Sequence, residues 1–266
     1  MGFPRGHLSY SQIRTYLICP RKYEFVYISD IRVPQSDKLL LGIVFHSTIE
    51  WYFRSCIADV KPGLPELEDW FHNEFDSVSE SQDVRWDSPR GQVVHRGIAF
   101  VRHFQSELAD GFKPLLVEQE LEAPLPGGSI PLRGVLDLVE EDLTITDFKT
   151  ATTRWSNSRV RHSRLQMVIY KYLFEQTHGD ANSNLRFCVI YSRKGDGVRS
   201  QLLDVLSGPN DREHLFSVVE HVGSGIQAGR FPRNEGFRCA FCEYRDHCLE
   251  SKPQRRKNDE KTVSIT

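Results

Sequence analysis

The chain has 266 residues, of which 39% are hydrophobic and 26% charged, with a formal net charge of −2. That length makes one large domain, or one domain with a small lobe, and it can bury a substantial core. No apolar run approaches the roughly 20 residues needed to cross a bilayer, and the balanced charge excludes a global basic signature, so any nucleic-acid binding must rest on local patches.

The opening MGFPRGHLSY has no apolar signal region, so a cytoplasmic, reducing location without membrane attachment is the expectation. In such a place the six cysteines read as metal ligands or buried thiols rather than disulfides. Residues 8–19 read as a short helix. Ser9 with Gln12 three residues on is a capping-box pattern, and Pro20 ends the helix at Cys19. Residues 40–57 form a second helix, with Gly42 and His46 one turn apart on one face. Gly42 allows another backbone to come close, and a lone helical histidine such as His46 reads on its own as structural. Residues 61–65 read as a loop, 67–75 as helix and 77–89 as polar and irregular. Residues 92–108 read as helix, with Val94, Ile98, Val101, Phe104 and Leu108 on one face.

From Lys113 the period changes to that of strands. Residues 115–122 read as one strand, and 124–129 as a turn rich in Pro and Gly. Residues 134–149, GVLDLVEEDLTITDFK, read as two strands joined by a tight acidic turn. Period two puts Asp137 on a face with Arg133, Val135 and Val139, and Asp147 on a face with Lys149. If the strands pair as a hairpin, two oxygen ligands for a hard divalent cation meet one fixed ammonium. Residues 150–163 read as a polar loop carrying Arg154, Arg159 and Arg161, with Arg164 next. These are plausible phosphate-backbone contacts beside a metal site. Residues 164–175 read as a helix with Gln166 and Tyr170 on one face. Strands are expected at 185–192 and 198–205, and a helix at 211–227. Residues 252–266 are charged, lack aromatics and read as disordered.

Cys239, Cys242 and Cys248 have the spacing C-x2-C-x5-C. A closed metal site needs a fourth ligand. Cys19 is the best candidate, with His247 the alternative in a zinc site. Cys56 and Cys188 sit in apolar patterns and read as buried thiols. Four thiolates alone do not separate zinc from iron–sulfur.

With these residues assembled, the chain resembles the PD-(D/E)XK nuclease superfamily, and within it the RecB-like exonucleases that carry an iron–sulfur cluster, such as AddB-like and CRISPR-associated nucleases. The resemblance covers roughly residues 8–249. It rests on the opening segment with Cys19, G-x3-H at Gly42 to His46, G-x2-D at Gly134 to Asp137, D-x-K at Asp147 to Lys149, Q-x3-Y at Gln166 to Tyr170, and the three later cysteines. Leu136 stands where the superfamily name has proline, and the second acid is Asp rather than Glu. The implied fold is α/β, a restriction-endonuclease-like core with a mixed central sheet. A helical N-terminal lobe (1–110) precedes the nuclease core (111–230), a cluster-binding segment (231–250) and the tail (251–266).

The implied function is a Mg²⁺- or Mn²⁺-dependent DNA exonuclease preferring single strands or ends, in DNA repair, recombination or CRISPR adaptation. The alternative is a non-catalytic nucleic-acid-binding module stabilised by a metal cluster. The resemblance makes Asp137, Asp147, Lys149, Gln166 and Tyr170 catalytic. His46, Asp137, Asp147 and the Phe148 backbone carbonyl hold the ion. Cys19, Cys239, Cys242 and Cys248 hold a [4Fe–4S] cluster in preference to zinc. Arg154, Arg159, Arg161 and Tyr170 contact nucleic acid. DNA is the implied partner, with a helicase or an integrase-type protein as companion, and the resemblance leaves oligomerisation open.

Overall fold

Serines open the two long helices that flank the site. Ser36 accepts the Leu39 backbone N–H at 3.2 Å to start α3 (Asp37–Ile57), and Ser156 accepts that of Arg159 at 3.3 Å to start α6 (Asn157–His178). Each hydroxyl satisfies a donor that the helix itself leaves unpaired. The structure is a computed structural model and describes residues 3–125, 131–179, 183–193 and 197–250. The expected disordered tail and most of the 124–129 turn lie outside these residues.

The remaining helices are α1 (Tyr10–Ile18), α2 (Pro20–Tyr23), α4 (Leu64–Ser81), α5 (Arg90–His103), α7 (Asp211–Gln227) and α8 (Arg245–Glu250). A two-residue parallel ladder joins β1 (Gln35–Ser36) to β2 (Val84–Arg85). The central sheet has the order β3 (Pro114–Pro124), β4 (Pro131–Glu140), β5 (Ile145–Ala151), β6 (Leu185–Arg193) and β7 (Gly197–Asp204). It is mixed: β5 and β6 run parallel, the other neighbours antiparallel. Helix α6 makes the crossover that a parallel pair requires. Helices α3 to α5 cover one face through Phe45, Phe53, Phe71 and Phe104 against Phe148 and Ile190. Helices α1, α6 and α7 cover the other through Ile13, Met167, Leu173 and Ile226 against Leu136 and Phe187. Burial on both faces explains why β6 carries a run of apolar residues instead of an alternation.

Several boundaries differ from the sequence expectation. Helix α6 begins at Asn157, not at residue 164, so Arg159 and Arg161 are helical. Its first turns are polar apart from Val160, which packs against the core, and carry no apolar stripe to read. Helix α4 starts at Leu64, inside the expected loop, with Pro65 in its first turn, and runs on to Ser81. The segment expected to be irregular thus holds the end of α4 and all of β2. Helix α5 ends at His103 and continues as a wider π turn over Phe104–Leu108. Cys188 is buried as expected, but Cys56 is partly exposed.

Helices α3, α4 and α5 meet at Gly97. A Cβ there would lie 2.0 Å from Phe71 Cζ and 2.8 Å from Leu41 Cδ1. Gly97→Ala is expected to destabilise the protein by about 3 kcal/mol through overpacking, read as a lower denaturant midpoint. Gly91→Ala, where a Cβ meets open space, is the control and should leave the midpoint in place or raise it.

Candidate functional site

Strands β4 and β5 leave their turn as an antiparallel pair, but the ladder holds only Leu138 opposite Thr146 and Val139 opposite Ile145. Beyond it the strands part. Asp137 Oδ2 fills the gap by accepting the Phe148 backbone N–H at 2.8 Å. The side-chain alternation slips at the same point: Leu136 packs with α1, α6 and α7, whereas Leu138 packs with α3 to α5. Val139, which packs on the side of Leu136, therefore leaves the face on which it was expected beside Asp137, because a period of two presumes an unbroken ladder. Across the sheet, Glu118 of β3 is bracketed by the pairs Val117–Leu138 and Gln119–Leu136, so it stands opposite Asp137. Its φ is +46°, a left-handed conformation that a glutamate keeps only where its surroundings hold it.

Helix α3 brings His46 Nδ1 to 3.4 Å from Asp137 Oδ2. One donor atom each from His46, Glu118 and Asp137 lies within 4.8 Å of the others. Burial pushes the Asp137 carboxyl up to about 6, against the pull of the Lys149 ammonium and the Phe148 N–H. Burial, then the charges of Asp137 and Glu50, push Glu118 up to about 8. Burial, then Lys149, brings His46 down to about 4, so its ring is neutral at pH 7, the form that ligates metals. An imidazole and two carboxylates that resist ionisation fit a hard divalent cation, whose charge would relieve both acids. Gly42, one turn before His46, has only the Thr150 hydroxyl near it, 3.5 Å from an added Cβ. The expected close backbone approach is not there.

Asp147 does not join that donor group. Its carboxylate turns to Lys149 Nζ, 2.7 Å from Oδ2, and accepts Gln166 Nε2 on Oδ1 at 2.8 Å. Burial lifts Asp147 to about 6, against Lys149. Burial works against the charge on Lys149, but Asp147 and Asp137 outweigh it and the ammonium is held. Gln166 Nε2 also lies 2.9 Å from Tyr170 Oη. Burial, then Asp147 and Asp137, raises the Tyr170 phenol well above its ordinary value. Tyr170 is only 8% exposed, so it lies beneath the site and not, as expected, open to nucleic acid. The glycine of G-x2-D makes room for it: a Cβ at Gly134 would stand 2.9 Å from Leu173 Cδ1 and 3.3 Å from Tyr170 Cε1.

At the other end of α1, Cys19, Cys239, Cys242 and Cys248 line one cavity of about 820 Å³. Three contacts tie the chain ends together around it: Asn234 Nδ2 donates to the Ile18 carbonyl at 2.9 Å, Arg21 N to the Pro232 carbonyl at 3.2 Å, and Lys22 pairs with Glu243 at 2.7 Å. His247 does not line the cavity. Among the described residues the four cysteine sulfurs do not gather as a donor group within 4.8 Å, as the atoms of His46, Glu118 and Asp137 do, so the cysteines line one hollow without forming an assembled metal site.

A family model described as the PD-(D/E)XK nuclease superfamily matches residues 7–249. The chain belongs to the PD-(D/E)XK nuclease superfamily. No curated protein matches it. Among solved structures, a protein from Eubacterium rectale provisionally called an exonuclease aligns over 94% of this chain and 91% of its own, at 13% identity and a TM-score of 0.62. That likeness shows the fold. A second structure, of the protein SSO0001, covers 76% of this chain and 94% of its own at 14% identity. Its TM-score of 0.36 carries no argument.

Within this PD-(D/E)XK chain the predicted arginines separate. Arg154 and Arg161 are exposed. Arg159 lies over the Trp155 ring, 4.6 Å from its centre. Arg164 is committed to Asp211 at 2.7 Å and is not a phosphate contact here. Sequence reading missed Glu118, whose only signal is a backbone angle set by tertiary structure. It also missed Tyr10, whose phenol is raised by burial and feels Arg14, Lys149 and Asp147.

A carboxyl raised from 3.8 to about 6 stabilises the fold fully below pH 3.8, and that contribution is lost as pH rises through 6. Asp137→Asn keeps an acceptor for Phe148 but cannot ionise. Metal-free Asp137→Asn should therefore exceed the metal-free parent in stability at pH 8 by on the order of 1–3 kcal/mol, with the two converging near pH 4. Thermal unfolding in chelator across pH 4–8 checks this, and parallel curves would contradict it.

Proposed function

We propose that this chain is a divalent-metal-dependent DNA exonuclease that prefers single strands or ends. The observation that carries this reading is the Lys149–Asp147 ion pair beside the donor group of His46, Glu118 and Asp137. Mg²⁺ or Mn²⁺ bound there would make water a better acid, lowering its pKa from about 15.7 toward about 7, and would offset phosphate charge. His46, Asp137 and Glu118 would hold the ion, and Asp147, paired with Lys149 in its absence, and the Phe148 carbonyl would be its remaining protein donors. Lys149, kept protonated by Asp147, places positive charge where the attacked phosphate gains negative charge. Gln166 locks the Asp147 carboxylate and through it aims Lys149. Tyr170 stays a neutral phenol that fixes Gln166 from below.

In this reading Cys19, Cys239, Cys242 and Cys248 carry a [4Fe–4S] cluster that staples the chain ends. Residues 1–110, 111–230 and 231–250 act as helical lobe, nuclease core and cluster segment. The setting is DNA repair, recombination or CRISPR adaptation, beside a helicase or integrase-type partner.

Lys149→Ala should lower cleavage of end-labelled DNA by about 10³-fold or more, the cost of removing a positioned charge at the reacting centre, while unfolding and DNA binding stay near the parent. Unchanged cleavage would reject the assignment. Anaerobically purified protein should be brown, with broad visible absorption that Cys242→Ser removes. Colourless protein holding zinc would reject the cluster.

A further inference from the structure

Helix α1 is the wall of the site that the reaction chemistry leaves without a task. Tyr10 and Arg14 are one turn apart, so they share a face, and Ile13 and Tyr16 bury the opposite side. Tyr10 stands within electrostatic reach of Lys149, Asp147 and Arg14, and α1 packs against α6. On α6, Arg159, Gln166 and Tyr170 fall at i, i+7 and i+11, again one face. That face runs from the mouth of the site to its floor, with Arg159 about 10 Å of helix rise from Gln166.

Arg159 is built to stay where it is. Its guanidinium lies over the buried Trp155 ring. Trp155 is fixed in turn at both backbone groups by Gln201 of β7, whose Oε1 accepts the Trp155 N–H at 2.8 Å and whose Nε2 donates to its carbonyl at 3.3 Å. Partial burial, then the charge of Arg14, hold the Arg159 guanidinium below its ordinary value. Among the described residues neither arginine has a carboxylate within ion-pair distance, whereas ten other arginines do. Two neighbouring cations left uncompensated, one on a fixed platform, suit an anion that arrives from outside.

We propose that Arg14 and Arg159 clamp a phosphate of the bound strand next to the one attacked at Lys149, so that DNA enters between α1 and α6. This rests on the nuclease reading above. Base-independent phosphate contacts of this kind set register without reading sequence.

The test uses the full chain and a labelled single-stranded oligonucleotide. Arg14→Ala and Arg159→Ala should each raise KM about tenfold, as expected for one lost charged contact, with kcat moving less. In the Lys149→Ala background each should lower the slope of log binding constant against log salt by about 0.7, and the double variant by about 1.4. Arg102→Ala, on α5 and paired with Glu68, should match its parent in both. Cleavage by the parent with unaltered KM and slope in the double variant overturns the clamp and leaves the nuclease reading standing. No cleavage by the parent overturns the nuclease reading, and the binding slopes still decide on the clamp: loss of slope supports it, an unaltered slope overturns it.

Discussion

A carboxylate oxygen occupies the place of a backbone carbonyl at the point where β4 and β5 separate, and the rest of the site depends on it. Had the ladder continued past Leu138–Thr146, the Phe148 N–H would bond to β4 backbone and Asp137 would project from a flat sheet. Instead the Asp137 side chain accepts that N–H. A buried N–H without a partner costs about 1–3 kcal/mol, so the strand opening is tolerable only with an acceptor there. The opening lets His46 of α3 and Glu118 of β3 approach the same carboxylate, although the two come from different layers of the fold.

Electrostatics then divides the site in two. On one side Asp147 and Lys149 neutralise each other, and Gln166 fixes the pair. On the other, Asp137 and Glu118 meet over a neutral imidazole, with Lys149 acting on Asp137 and Arg54 on Glu118 at longer range. Buried carboxylates without a partner charge resist ionisation, and both are raised accordingly. Among the described residues the fold gives Asp147 a lysine at 2.7 Å and gives Asp137 and Glu118 no lysine or arginine at that range.

Much of this was legible in the residues. Helix α7 matches its expected span because its apolar period and its flanking Asn and Gly agree. The C-x2-C-x5-C spacing is local, and Cys19, the expected fourth ligand, lines the same cavity from more than two hundred residues away in the chain. Other features were not legible. Residues 157–163 carry no apolar stripe, so their helix depends on the Ser156 cap and on continuity with the buried turns after it. Glu118 looks like any polar strand residue, because the sign of φ is imposed by what packs around it. The parting of β4 from β5 escaped for a related reason: periodicity describes regular ladders, and the site exists where the ladder fails. The family motifs point to Asp137 and Asp147 without revealing that their carboxylates turn to different partners.

The attachment of α1 has a consequence for biogenesis. Its Tyr16 hydroxyl donates to the Arg230 carbonyl at 2.7 Å, and Gly225 leaves it that space, since a Cβ there would come within 2.1 Å. A wall beside Lys149 is therefore anchored by residues that leave the ribosome more than two hundred positions later. Such distant pairing is slow to form, and until it forms the cleft lacks one side. In a nascent chain that wall takes its anchored place only after the distal segment has docked.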